Sequence, residues 1–141
     1  MRGGRLAPLL AALPDEEFQD LLKDETKAFA FLGTVMPDGS PQVTPVWFST
    51  EGEQILINTA RGRQKDRNMQ ARPQVALSIL DPKRPYRYLQ IRGEVVASTE
   101  EGAAEHISFL SRKYRGHDFD IPKGQVRVIY KVLPKQVTTE D

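Results

Sequence analysis

The chain has 141 residues, a net charge of +1, 39% apolar residues and 28% charged residues. These values predict one globular domain over residues 1–141, with residues 1–25 as an N-terminal arm and helix, and they argue against nucleic acid or a membrane as a partner. The lack of cysteine excludes disulfides and thiolate chemistry and fits a cytoplasmic protein, and two histidines are too few for an all-histidine metal site, so no metal is expected.

The first half of the chain predicts one helix and three strands. The helix is expected to start near Pro14, because proline is favoured in a first turn and acidic residues follow it. Strands are predicted over 28–35, 41–50 and 54–59, with tight glycine-containing turns between them. Two prolines in the second strand indicate that it is an edge strand or is bulged.

The second half alternates helices and strands. Apolar alternation and flanking breakers predict three strands and two helices, and Gly93 is expected to mark a bulge or a tight bend in the long middle strand. The strands are predicted over 74–80, 86–97 and 125–133, and the helices over 64–71 and 98–114. Six strands joined in part by tight hairpins indicate an antiparallel barrel or sandwich.

A strongly basic segment follows the third strand and opens the second helix. Between Arg61 and Arg72 there are five cations and a single anion, Asp66. A helix start offers free N–H groups and partial positive charge, and arginine and lysine add full charges. The segment therefore predicts a site for a phosphorylated ligand, although a solvated basic helix face has the same composition.

The order of these pieces resembles a known family. The chain contains, in this order, a hairpin, the strand Pro45–Val46–Trp47–Phe48, a strand ending in Asn58–Thr59, a basic helix with Lys65-x-x-Asn68, and the run RPQVALSIL at 72–80. This order resembles that of the split β-barrel flavin-binding proteins. Pyridoxamine 5′-phosphate oxidase is the namesake, and the chain is most similar to the F420-dependent oxidoreductases. The resemblance implies a mainly β protein with short helices: a six-stranded antiparallel split β-barrel of the FMN-binding type.

The resemblance also implies where a cofactor binds. The family forms homodimers with cofactor sites at the subunit interface, so a homodimer is expected here. Lys65 matches the phosphate-binding lysine, with Arg63 beside it, and Asn68 lies one turn later on the same helix face. The remaining matched cofactor-binding positions lie on the strands that flank the phosphate and the ring: Thr59, Gln42, Val43, Thr44, Pro45, Val46, Tyr86 and Tyr88.

The implied activity is F420-dependent reduction, in which the deazaflavin delivers a hydride to an unsaturated small molecule. The oxidase has arginine directly before the lysine, whereas this chain has Gln64, and its C-terminal arginine and tryptophan have no counterpart after Leu133. Pyridoxamine phosphate oxidation is therefore not expected. An FMN-dependent oxidase or reductase is the alternative, and a non-catalytic carrier of flavin, F420 or haem is another.

No catalytic residue is predicted, because the cofactor of such an enzyme carries the chemistry. Trp47 is interpreted as a core or interface anchor, and His106, on the apolar face of the helix over 98–114, as a packed residue. Arg84 and Arg87 flank the ring-side strand, and solvent-exposed side chains are expected there rather than ligand contacts.

Overall fold

The computed structural model describes Leu10 and residues 16–141, and the predicted helix start at Pro14 lies outside these residues. Three α-helices and two short 3₁₀ turns accompany the sheet: α1 (Glu16–Gln19), the turns Asp20–Leu22 and Asp24–Thr26, α2 (Gln64–Ala71) and α3 (Ala103–Arg115). The strands are β1 (Phe29–Val35), β2 (Pro41–Val46), β3 (Phe48–Glu51), β4 (Gln54–Ala60), β5 (Gln74–Leu80), β6 (Tyr88–Thr99) and β7 (Arg127–Glu140).

All strands belong to one antiparallel sheet with the order β2-β1-β5-β6-β7-β4-β3. Its inward face encloses one apolar core to which most strands contribute alternate residues, as a half-buried sheet requires. Phe18 and Leu21, from the N-terminal helical segment, and Met69, from α2, also belong to this core. The architecture is therefore a mainly β, curled sheet with short helices, as expected.

The predicted number of six strands is wrong, because the strand expected over 41–50 is two strands. The chain leaves the sheet at Trp47, and its two halves pair with different neighbours: β2 with β1, and β3 with β4. They lie at opposite edges of the sheet. The prolines of β2 fit this edge position, since proline lacks the N–H that an inner strand must donate.

Helix α3 packs against the outward face of β4 and β7. Ala103 of the helix forms a second, smaller apolar cluster with Leu56 and Ile129. The helix starts later than the predicted position 98, because β6 continues to Thr99 through its pairing with Ile129. No helix in the part of the chain that the structure describes is long and apolar enough to cross a membrane.

Gly93 lies at a bulge between β6 and β7, as the sequence predicts. The pairing register shifts between Arg92 and Gly93, opposite Gln136 and Pro134. A Cβ atom added to Gly93 would lie 2.6 Å from the backbone oxygen of Leu133, so only glycine fits without a backbone shift. The bulge keeps β7 paired with β6 as far as Glu140, well beyond the predicted end of the last strand at 133.

Candidate functional site

A cleft of about 400 Å³ lies where the chain passes from β2 to β3. Its lining comes from β1 and β2, from β4 and β7, and from α3 and the segment after it. Arg63, directly before α2, and Lys65, in its first turn, add two cations to the lining. The lining residues are Phe29, Ala30, Phe31, Pro45, Val46, Trp47, Asn58, Arg63, Lys65, Ile107, Tyr114, Phe119 and Arg127.

Three cations converge on this cleft without an acidic partner among the described residues. The side chains of Arg63 and Lys65 form no hydrogen bond or ion pair there, and Arg127 donates only to the neutral oxygens of Asn58 and Gln125. Burial, together with the charges of Arg63 and Arg127, lowers the pKa of Lys65. Burial and the charge of Arg63 lower the pKa of Arg127 to about 10, so the Arg127 guanidinium stays charged at neutral pH and is repelled by the neighbouring cations.

The loop that carries Arg63 is held by a buried carboxylate at the start of α2. Asp66 accepts hydrogen bonds from the backbone N–H of Gly62 at 2.9 Å and from the hydroxyl of Tyr130 at 2.6 Å. Its ion pair with Arg61 measures 3.0 Å. Asp66 thus neutralises Arg61 and fixes the turn, while Arg63 and Lys65 stay available on the cleft side.

Aromatic rings form part of the lining of the cleft. Trp47 and Tyr114 stack with ring centroids 5.6 Å apart and planes inclined by 8°. The guanidinium of Arg115 lies between Trp47 and Phe119, at 5.1 and 5.6 Å from their centroids, and Arg127 lies 5.2 Å from Phe119 on the cleft side. These contacts order cationic and aromatic groups around the cleft.

Four of the residues predicted from the resemblance line the cleft: Lys65, Arg63, Pro45 and Val46. Val43 shares the strand, but its side chain points away from the core and is 64% exposed. The structure therefore brings two of the predicted basic residues and two of the predicted ring-side residues to one cleft. Their contact with a cofactor stays a prediction.

Asn68 and Gln42 do not line the cleft and belong to a polar network between α2, β1 and β2. The amide of Asn68 donates to the hydroxyl of Thr34 at 2.9 Å and accepts from Gln64 at 2.8 Å and from Arg72 at 3.2 Å. Thr34 in turn donates to the side-chain oxygen of Gln42 at 3.0 Å. Asn68 is fully buried, so in this structure it joins α2 to β1 and β2.

The remaining predicted positions are not brought into the cleft. Thr59 is buried and lies on the opposite face of β4 from Asn58. The side-chain hydroxyls of Thr59 and Thr44 are both buried and have no hydrogen-bond partner among the described residues. Tyr86 is 86% exposed in the loop before β6, and Tyr88 is half-buried at the start of that strand. Ligand contacts at these four positions stay predictions.

The structure adds Asn58 and Arg127 to the lining of the cleft, and neither residue was assigned a binding role from the sequence. In the predicted last strand Arg127 lies between Val126 and Val128, so the alternation places its side chain on the polar, outward face of the strand. The sequence gives no further reason to expect a ligand there. Trp47, interpreted as an anchor, both stacks in the wall and lines the cleft. Arg87 is held by Asp20 and Asp81 through ion pairs of 2.6 and 2.9 Å, and it is buried rather than solvated.

The cleft has the chemistry of a site for a phosphorylated ring compound. Its volume lies within the range of about 300–1,000 Å³ that is usual for ligand pockets. Uncompensated arginine and lysine side chains favour phosphate or carboxylate groups, and the flat aromatic and proline surfaces offer packing for a planar ring. The residues present therefore fit a flavin-type nucleotide.

Comparison with known proteins supports the split β-barrel fold that the sequence predicts. The family model of pyridoxamine 5′-phosphate oxidase matches residues 14–140. A solved F420 reductase is 37% identical, with a TM-score of 0.78, over 88% of this chain and 98% of that one. No match was found among the curated proteins.

Two more distant structures share the fold. The conserved hypothetical protein Rv2991 from Mycobacterium tuberculosis is 22% identical, with a TM-score of 0.71, over 92% of this chain and 85% of that one. General Stress Protein 26 from Bacillus anthracis is 19% identical, with a TM-score of 0.68, over 89% and 92% of the two chains. The family match extends over nearly the whole sequence, and the chain therefore belongs to the pyridoxamine 5′-phosphate oxidase family.

Proposed function

We propose that the protein is an F420-dependent oxidoreductase that reduces an unsaturated small molecule. The observation that carries the proposal is the cleft in which Arg63, Lys65 and Arg127 converge without acidic partners among the described residues. The 37% identity to an F420 reductase over 88% of the chain favours the deazaflavin over other phosphorylated ring compounds. The cofactor, when bound, supplies hydride transfer, and the protein supplies binding, orientation and electrostatics.

In this proposal the cations hold the phosphate of the cofactor. Lys65 and Arg63 approach it from the α2 side, and Arg127 approaches from β7. Pro45 and Val46 provide apolar surface for the ring, because both line the same cleft as the cations. Aromatic side chains in the lining lower the local dielectric, which would strengthen the interaction of these charges with the phosphate.

No residue is assigned as proton donor. Tyr114 is the phenol that lines the cleft, but its hydroxyl donates to the backbone oxygen of Ala28 at 2.8 Å. Burial raises the pKa of Tyr114, so the phenol keeps its proton at neutral pH. The side chain of Tyr114 therefore stabilises the wall, and the proposed reaction takes its proton from another source.

The proposal includes a homodimer, which the outer face of β1 and β2 supports. Phe29, Phe31 and Val43 are 53%, 38% and 64% exposed, and the strand register places them on one face. Exposed apolar patches of this kind mark interaction sites.

Sedimentation velocity at micromolar concentration should give a dimer, and Val43→Lys should shift it toward monomer. Val96→Lys, at another exposed valine, is the control; a wild-type monomer would contradict the proposal.

An FMN-dependent oxidoreductase is the second candidate, and membership of the oxidase family favours it. The same cations serve the phosphate of either cofactor. A non-catalytic carrier would also use them. His106 offers little to haem, because both of its ring nitrogens have partners within the protein.

Titration of the purified protein with F420 and with FMN, followed by fluorescence, tests the proposal. Tight binding of F420 and weak binding of FMN, together with reduction of an enone or quinone by reduced F420, is the expected result. Tight FMN binding transfers the assignment to the second candidate. Binding of F420 without turnover of any acceptor supports the carrier instead.

Lys65→Ala tests the cationic end directly. Loss of a charge-assisted hydrogen bond should weaken F420 binding by about 1.5–3 kcal/mol. Lys83→Ala, in the loop between β5 and β6 and outside the cleft, is the matched control and should bind normally. Equal affinities of both variants would remove Lys65 from the proposed site.

A further inference from the structure

Hydrogen bonds connect the cleft with the first turn of α3. Arg127 Nε donates to Asn58 Oδ1 at 2.9 Å, and Asn58 Nδ2 donates to the backbone oxygen of Ala103 at 2.9 Å. The same Nδ2 lies 3.1 Å from His106 Nδ1, and His106 Nε2 lies 2.9 Å from Ser49 Oγ. Every residue in this series of hydrogen bonds is buried or half-buried.

The neighbours of Asn58 fix the direction of each bond. Arg127 can only donate and the Ala103 carbonyl can only accept, so the amide oxygen of Asn58 must face the arginine and its nitrogen the carbonyl. The second N–H of that nitrogen then points to His106 Nδ1, which has to accept. The neutral ring therefore carries its proton on Nε2 and donates it to Ser49.

We propose that His106 is a positioning residue of the anion site, which orients the Asn58 amide so that Asn58 holds the Arg127 guanidinium toward the ligand. Two of the donor groups of Arg127 are satisfied by neutral oxygens, Nε by Asn58 and Nη1 by Gln125, at 2.9 and 2.8 Å. Nη2 has no partner among the described residues. The arginine is thus fixed in place, keeps its full charge and retains donor capacity for an anion.

The electrostatics of the cleft explain why Arg127 has to be held. Arg63 and Lys65 repel it, and no described carboxylate attracts it. Without the Asn58 oxygen, the guanidinium gains by turning away from the other two charges toward solvent. His106 opposes this indirectly: it accepts from one N–H of Asn58 while the Ala103 carbonyl accepts from the other, so turning the amide away from Arg127 would break two hydrogen bonds instead of one.

The inference rests on the proposed anion site but not on the identity of the cofactor. Inorganic sulfate is therefore the probe, since it keeps its charge through the neutral pH range and needs no ring contacts. Its dissociation constant is measured by isothermal titration calorimetry on the full chain at pH 7.

Two substitutions of His106 separate its two hydrogen bonds. In His106→Asn the amide oxygen is as far from the backbone as Nδ1, so the acceptor for Asn58 is kept. In His106→Gln the side-chain amide is as far from the backbone as Nε2. This variant therefore keeps the hydrogen bond to Ser49 and loses the acceptor for Asn58. His106→Gln should weaken sulfate binding about three- to tenfold, the scale of one neutral hydrogen bond, whereas His106→Asn should stay within about twofold of wild type.

A double-mutant cycle with Arg127→Ala identifies the route of the effect. In the Arg127→Ala background, His106→Gln should cause no further loss, because the residue that it positions is gone. In the Lys65→Ala background the loss should persist in full. His117→Gln, at the exposed histidine after α3, is the matched control.

Each result decides something different. If wild type does not bind sulfate, the proposed anion site fails and the inference fails with it. If wild type binds but His106→Gln binds equally well, or if its loss persists in Arg127→Ala, the anion site stands and the positioning role is overturned. Should His106→Gln not fold, Asn58→Ala serves instead, and unchanged sulfate affinity in that variant overturns the inference.

Discussion

Neutralising Arg63 should stabilise the ligand-free protein and weaken ligand binding at the same time. Arg63 precedes α2, lines the cleft and has no hydrogen bond or ion pair from its side chain to the described residues. Its charge lowers the pKa of both Lys65 and Arg127. Arg63→Gln therefore removes repulsion without breaking a described contact.

The expected size follows from the energies of such charge pairs. Interactions between partly exposed charges amount to about 0.2–1 kcal/mol each. Relief of repulsion toward Lys65 and Arg127 should therefore raise the unfolding free energy by about 0.5–1 kcal/mol, or Tm by about 2–4 °C. Loss of one charge-assisted hydrogen bond to the ligand should cost about 1.5–3 kcal/mol, a 10- to 150-fold loss of affinity.

Thermal unfolding with and without ligand measures both effects. Without ligand, Arg63→Gln should unfold at a higher temperature than wild type, and with saturating sulfate or F420 the order should reverse. Raising the NaCl concentration should shrink the difference, because salt screens the repulsion. Lys83→Gln is the control for removal of a positive charge elsewhere. A ligand-free Arg63→Gln protein that is less stable than wild type would refute the reasoning.

Three further results are expected. Gly93→Ala should lower the unfolding free energy by about 1–3 kcal/mol, because its Cβ would meet the backbone oxygen of Leu133, and an unchanged urea midpoint would contradict this. Asn68→Ala should cost about 1–3 kcal/mol, since it leaves the buried hydroxyl of Thr34 without its amide donor; sulfate titration of the folded variant tells whether affinity also falls. Burial lowers the pKa of His106 to about 4, so the unfolded chain takes up its proton first and stability should fall as pH decreases from 6.5 toward 4. His106→Gln should flatten that slope in urea titrations.

The sequence predicted local elements well where side-chain periodicity and backbone chemistry agree. The helix Gln64–Ala71 and the strand Gln74–Leu80 have the predicted bounds. Gly93 was predicted to mark a bulge or a tight bend, as glycine inside a strand often does, and the pairing register shifts there. The order of such pieces also identified the family, because it reflects the connectivity of the fold.

Strand limits set by partners rather than by composition were not predicted. Residues 41–50 alternate without interruption in sequence, yet the two halves bind different neighbours at opposite edges of the sheet, and the strand splits at Trp47. The last strand continues to Glu140 through polar residues, because β6 provides a pairing partner across the bulge. Hydrogen bonding between distant segments decided both limits.

The sequence by itself predicted the two cations that α2 and the loop before it contribute to the candidate site. Lys65 and Arg63 stand out because five cations follow a strand and open a helix, a pattern in the local chain. Tertiary structure alone decided what completes the cleft. Arg127 and Asn58 lie 69 residues apart and meet because antiparallel pairing of β4 and β7 places them diagonally on one face. Pairing register is a property of the folded sheet, so no local signal announces which polar strand residue will face a ligand.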